Sequence, residues 1–166
     1  MKANNQDIFI TAIKQYEGLI HKVCNLYAYG AEDRKDLFQE IVLQAWTAYK
    51  RFNNEAKIST WLYRIALNTA ISHLRKGGKG ITQVGIPPGD HDPPANNGQA
   101  REEEYKVMHR MIGELPPLDK ALTLLYLEDR THAEISEILG ISTSNVSTKL
   151  ARIREKLKKQ VTPLFK

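Results

Sequence analysis

Between residues 142 and 152 the chain gathers Ser142, Ser144, Asn145, Ser147, Thr148, Lys149 and Arg152. These side-chain types suit the reading of nucleic acid. Amides and guanidinium groups can pair bidentately with base edges, while hydroxyls and ammonium groups hold phosphates. Among them Val146, Leu150, Ile153 and Leu157 recur at four, three and four residues, one stripe of a 3.6-period helix. Ser144, Asn145, Thr148 and Arg152 then fall on the opposite surface, with Ser147 and Lys149 at its flanks. A second polar set lies upstream. Asn53, Asn54, Lys57 and Ser59 form a loop flanked by Phe52, Trp61 and Tyr63, and Arg64, Asn68, Ser72 and Arg75 recur at four, four and three residues. Amides, cations and aromatics together grip single strands by stacking and backbone charge. Both polar stripes also have a plainer reading as solvated helix faces, and the aromatics as core.

The elements that must position these groups are helical. THAEISEILG, residues 131–140, predicts a helix opened by a capping box of Thr131 and Glu134. Ile135, Ile138 and Leu139 form its apolar face, and Gly140 closes it in a left-handed turn. Ser142 caps the next helix. Cap, glycine turn, cap and basic helix in succession predict a helix-turn-helix, of the kind whose second helix enters the DNA major groove, over a plain helical hairpin. Upstream, a helix is predicted over 6–29 on Phe9, Ile13, Tyr16, Ile20 and Val23, with a break near Gly18. A second spans 32–50, with Leu37, Ile41, Ala45 and Tyr49 on one side and Phe38, Val42 and Trp46 beside them. Asp33 and Asp36 near its start suit the helix dipole; Gln39 and Glu40 lie past the first turn and are explained less well by it. Ser59 or Thr60 caps a third helix over 61–75. In the C-terminal part, 101–114 predicts a helix with Tyr105, Met108, Met111 and Ile112 inward, and Pro117 opens the next on Leu118, Ala121, Leu122 and Leu125.

The bulk numbers fit two small all-α domains. Of 166 residues, 42% are hydrophobic and 26% charged, with net charge +5, which suits a nucleic-acid partner without requiring one. Residues 77–101 are dense in Gly, Pro, Asn and Asp and lack an apolar period, so they read as a linker between domains at 1–76 and 102–166. Twenty-five such residues reach ~80 Å fully extended, but span only ~25–30 Å as a relaxed coil. The single cysteine, Cys24, lies among Leu19, Ile20, Val23 and Leu26 and reads as a core residue. No apolar run approaches the ~20 residues that span a bilayer, and the N-terminus lacks a signal-peptide core, so a cytoplasmic protein with no direct membrane insertion is expected. An enzyme is disfavoured. There is no Gly-rich phosphate loop or nucleophile motif, and His21, His73, His91, His109 and His132 lack ligand spacing, so no cofactor and no metal are expected.

Taken together, three fragments resemble the extracytoplasmic-function (ECF) group of the sigma-70 family, the small bacterial RNA polymerase sigma factors. DLFQEIVLQAW at 36–46 is similar to the part of sigma region 2 that docks on core polymerase. FNNEAKISTWLYRIALNTAISHLRK at 52–76 is similar to the part that melts and reads the −10 element. The chain from Leu115 to Leu157 is similar to region 4, which reads the −35 element. The resemblance implies polymerase contacts at Asp36, Gln39 and Glu40. It implies −10 contacts at Phe52, Asn53, Asn54, Lys57, Ser59, Thr60, Trp61, Arg64, Asn68 and Arg75. It implies −35 contacts at Ser142, Ser144, Asn145, Ser147, Thr148, Lys149 and Arg152. The implied partners are core RNA polymerase, promoter DNA and a membrane-linked anti-sigma factor. Two departures are clear. The family often has Asp where Ser72 stands, and Thr, Lys and Arg where Asn145, Ser147 and Lys149 stand, so the promoter preference of relatives does not transfer. The alternative function is a helix-turn-helix activator or repressor that acts without core polymerase.

Overall fold

The computed structural model describes residues 4–76 and 99–163, so the linker expected at 77–101 falls almost wholly outside the described residues, as does His91. The chain divides into two compact units, Met1–Thr82 and Gln83–Lys166. Among the described residues the secondary structure is all α, in eight helices.

The first unit holds α1 (Asn5–Gln15), α2 (Glu17–Tyr27), α3 (Ala31–Tyr49) and α4 (Ile58–Lys76). The helix expected over 6–29 with a break near Gly18 does break, two residues earlier, at Tyr16 (φ −108°, ψ 19°). Burial explains the corner. Of α1 only Phe9 is buried, whereas α2 buries Leu19, Ile20, Val23, Cys24, Leu26 and Tyr27, so the two segments follow different axes. Gly18 then sits in the first turn of α2. Helices α2, α3 and α4 pack pairwise around Ile20, Val23, Tyr27, Leu37, Ile41, Leu62, Tyr63 and Ala66, none more than 1% exposed. Each large side chain among these stabilises the unit by about 1.5–3 kcal/mol relative to exposure. Gly30 turns the chain into α3 at φ 87°, a value most residues avoid. Cys24 is a core residue, as expected. Burial pushes its thiol up to about 12 against the opposing charge of Arg34, so it stays protonated at neutral pH.

Helix α4 begins three residues before the expected start. Its opening turn hangs on the Lys57 carbonyl, which accepts from Trp61 N–H at 3.0 Å. Ser59 and Thr60 are therefore first-turn residues and not caps.

The second unit holds α5 (Gln99–Gly113), α6 (Pro117–Leu127), α7 (His132–Leu139) and α8 (Thr143–Val161). Pro117 takes the first helical position, as predicted. Ala121, Leu122, Leu125, Ile135 and Val146 are fully buried, with Ile138, Leu150 and Ile153 nearly so. Met108, expected inward, is exposed: α5 meets α6 through its C-terminal end, where Met111, Ile112 and Leu115 are buried, and Met108 lies a turn too early. The side chain of Tyr105 falls outside the described residues. Lys120 is buried, and that burial lowers its pKa.

Candidate nucleic-acid interface and docking face

The turn of the helix-turn-helix forms from the residues that predicted it. Thr131 Oγ1 accepts the Glu134 N–H at 3.1 Å and donates to the Glu134 carboxylate at 3.2 Å. Arg130, 3.1 Å from the same carboxylate, and then Thr131 hold it below its usual range. Gly140 caps α7 in the left-handed conformation (φ 70°, ψ 30°), its N–H on Ser136 O. Ser142 Oγ accepts the Asn145 N–H at 3.1 Å and opens α8. From there the wheel runs as read. Val146, Leu150 and Ile153 are buried, Ser144, Asn145, Ser147, Thr148 and Arg152 are exposed, and Lys149 is half-buried. Two of the polar groups are partly occupied. The Ser142 hydroxyl serves the cap, and Thr148 Oγ1 donates back to Ser144 O at 3.0 Å, leaving mainly its lone pairs outward. Asn145 and Arg152 have the strongest base-reading groups on this face. Lys156, Lys158 and Lys159 extend it with exposed positive charge. Arg154 does not belong to it: its guanidinium bonds Tyr126 Oη at 2.5 Å and lies 4.7 Å from that ring's centre, stapling α8 to α6.

In the first unit, Arg64, Asn68, Ser72 and Arg75 form an exposed stripe along α4. The 51–57 loop beside it is held by its own amides. Asn53 Oδ1 accepts the Glu55 N–H at 3.3 Å, and Asn54 adopts φ 61°, a left-handed value that asparagine tolerates. Asn53, Asn54 and Lys57 are exposed and Ser59 half-buried. Thr60 must be withdrawn from the DNA set: at 5% exposure it faces the core, because the earlier start of α4 turns it inward. Phe52 and Trp61 are half-buried. They lean on each other with ring centres 4.9 Å apart, and both touch Tyr49, at 6.2 and 6.1 Å. The aromatics thus serve two purposes, closing the end of the α3–α4 pair while leaving a ring surface beside the polar loop.

The polar trio expected to meet polymerase, Asp36, Gln39 and Glu40, does not stand as one group on α3. Asp36 and Gln39 are exposed, but Glu40 is tied to α4 through His73, which also meets Asp33. What the sequence reading missed is apolar. Gln39 borders a shallow groove between α1 and α3 lined by Phe9, Ile10, Phe38, Val42, Leu43 and Trp46. Leu43 is 61% exposed and Ile10 42%. Leu43 lies off the Leu37–Ile41–Ala45 stripe, so completing the helical wheel would have shown it outside the core.

Two helical units, one ending in a helix-turn-helix with a polar outer face and one pairing an exposed basic stripe with an aromatic-edged loop, define a DNA-binding protein in two parts. Residues 12–80 match the model of sigma-70 region 2, and residues 105–157 that of sigma-70 region 4. Between them the two models take up most of the chain, which belongs to the sigma-70 family and, within it, to the ECF group. The chain is 27% identical to the ECF RNA polymerase sigma factor SigW of Bacillus subtilis, across 99% of this chain and 94% of that one. It is 29% identical to the RNA polymerase sigma-H factor of Pseudomonas aeruginosa, across 88% and 83%. Among solved structures, the sigma factor RpoE of Bartonella quintana, crystallised with the anti-sigma factor NepR, shares the fold with a TM-score of 0.72 at 14% identity, covering 92% of this chain and 96% of that one.

Proposed function

We infer that this chain is a promoter-specificity subunit: it binds core RNA polymerase, recognises and opens promoter DNA, and so directs initiation. The observation that carries this is the succession of a region 2 match and a region 4 match along one chain. The protein would make and break no covalent bond of its own. Opening costs roughly 1.4 kcal/mol of stacking per base-pair step, and a subunit that binds the opened strand better than the duplex offsets that cost by shifting the population. In the first unit, Asn53, Asn54, Lys57, Phe52 and Trp61 would hold an extruded base and its strand, with Arg64, Asn68 and Arg75 on neighbouring phosphates. In the second, Ser144, Asn145, Ser147, Thr148 and Arg152 would read duplex DNA, with Lys149 on a phosphate. Two sites about two helical turns apart lie ~70 Å from each other, a span the intervening chain reaches only when drawn out. Core polymerase would therefore hold the two units on their separate elements. Asp36, Gln39 and the exposed Leu43 would meet it, an apolar centre with a polar rim.

By family resemblance an anti-sigma factor linked to the membrane would compete for these surfaces, the chain itself remaining in the cytoplasm. Among the described residues no helix is long and apolar enough to cross a membrane. The test is reconstitution. Purified chain and core polymerase should give promoter-dependent RNA that neither gives alone. A free-standing activator or repressor would instead footprint promoter DNA without polymerase.

A further inference from the structure

His73 stands near the end of α4 with a carboxylate on each ring nitrogen. Its Nε2 lies 3.1 Å from Asp33 Oδ1 and its Nδ1 3.1 Å from Glu40 Oε2. Asp33 and Glu40 are seven residues apart on α3, so they lie on one face about 10 Å apart along its axis, and the imidazole bridges them. A neutral ring has one N–H and would turn a lone pair towards the other carboxylate; only the imidazolium donates to both. Burial disfavours the charged ring, but the hydrogen bonds and charges of Asp33 and Glu40 outweigh it and raise the His73 pKa. The groups that act on the ring come from α3. The other helix packed on α4, α2, gives Ile20, Val23 and Tyr27 to the core, and its exposed His21 is engaged by Glu17 at 3.3 Å and stacked on Phe38. On α4 itself Arg75 and Lys76 follow, both exposed.

We propose that His73 is a positioning residue for promoter opening: held between Asp33 and Glu40, it fixes the C-terminal half of α4, with the exposed Asn68, Ser72 and Arg75, in register on the polymerase-facing helix α3. This rests on the sigma reading of α3 and α4. A clamp of this kind matters because strand capture needs the phosphate-binding stripe held at a set distance from the docked helix. It also ties Glu40 to α4 and leaves polymerase contact to Asp36 and Gln39. The sign of its pH dependence follows from the direction of the shift. The clamp is complete below the ordinary histidine value of about 6.5, and it is lost as pH rises through the raised value of the folded protein.

The experiment scores open complexes by permanganate reactivity, per polymerase-bound promoter, from about pH 6 to 9, across the window in which histidine changes charge. It uses the full chain with core polymerase. Relative to wild type, His73→Gln should open about two- to fivefold fewer promoters at the acidic end, the range of a partly exposed ion pair, and the ratio should return to one at the alkaline end. His73→Arg keeps a permanent cation with a forked donor set. It should restore acidic-end opening and exceed wild type at the alkaline end. Parallel profiles for wild type and His73→Gln overturn the proposal, as does a constant deficit at every pH, which marks plain loss of packing. If circular dichroism shows that His73→Arg does not hold its helix content, the His73→Gln profile alone decides. A wild-type chain that opens no promoter with core polymerase at any pH defeats the sigma reading itself, an outcome distinct from the other two.

Discussion

Asn145 and Lys149 lie one turn apart on α8, yet they should fail differently when truncated. Asn145 is exposed near the start of the helix, where an amide can pair with both N6 and N7 of adenine. Asn145→Ala should cost about 1–3 kcal/mol at one base position and relax preference there. Lys149 is half-buried at the flank, and in the proposed reading its ammonium would bind a phosphate. Lys149→Ala should weaken all promoters alike and lower the salt slope by about one unit. Transcription from promoter variants across a salt series separates the two; if Lys149→Ala alone alters base preference, the reading face is rotated from this placement. Trp61 poses a different problem, since it packs on Phe52 at 4.9 Å and is only half-buried. Stacking on an aromatic is worth about 1–3 kcal/mol per base, so Trp61→Ala should impair opening more than duplex binding, and a pre-melted template should rescue it. Absence of rescue makes Trp61 a packing residue only. At this scale the sequence was legible where a helical wheel decides exposure, as on α8. It was not legible where partners lie far apart in the chain. Nothing in the spacing of Asp33, Glu40 and His73 announces that two carboxylates of one helix close on a ring of another. Thr60, placed in the −10 set by resemblance, lies in the core of this fold at 5% exposure.

Among the elements, α7 and α8 were readable nearly to the residue, since each boundary carries its own chemistry: Thr131 with Glu134, Gly140, then Ser142. The corner was expected near Gly18 and falls two residues earlier, at Tyr16, because tertiary burial and not the glycine sets where α1 gives way to α2. Gly140 tests the turn. At φ 70° an alanine is strained even though its Cβ would meet open space, so Gly140→Ala should destabilise the second unit by about 1 kcal/mol. That corresponds to a fall of about 4–8 °C in the melting temperature of a domain this small. An unchanged melt would show that α7 ends in some other way. The α1–α3 groove gives the element-scale prediction for docking. Leu43→Asp places a charge in the apolar lining, and Asp36→Arg reverses an exposed charge on the same helix. Together they should weaken core polymerase binding by about 2–5 kcal/mol, the range for disrupted buried contacts at an interface, with helix content unchanged because both positions are exposed. Undiminished co-purification with core polymerase would remove α3 from the docking face.

At the scale of the whole chain, two compact units present two different surfaces. The first has an aromatic-edged loop and a basic stripe suited to a separated strand; the second has a compact helix suited to a duplex groove. The sequence suggests such a division, because a Gly/Pro tract without apolar period cannot build a core and two helical patterns flank it. The fold of each unit followed from hydrophobic periodicity, while the apolar α1–α3 groove did not, since it is an exception to that periodicity. The most direct measurement is run-off transcription from a cognate promoter with core polymerase and the full-length chain, beside each component alone. The account predicts RNA from the promoter start only when both are present, and its loss when the Asp36→Arg, Leu43→Asp chain is used. Specific, symmetric footprinting of that promoter by the chain alone, with no polymerase-dependent RNA, would contradict it.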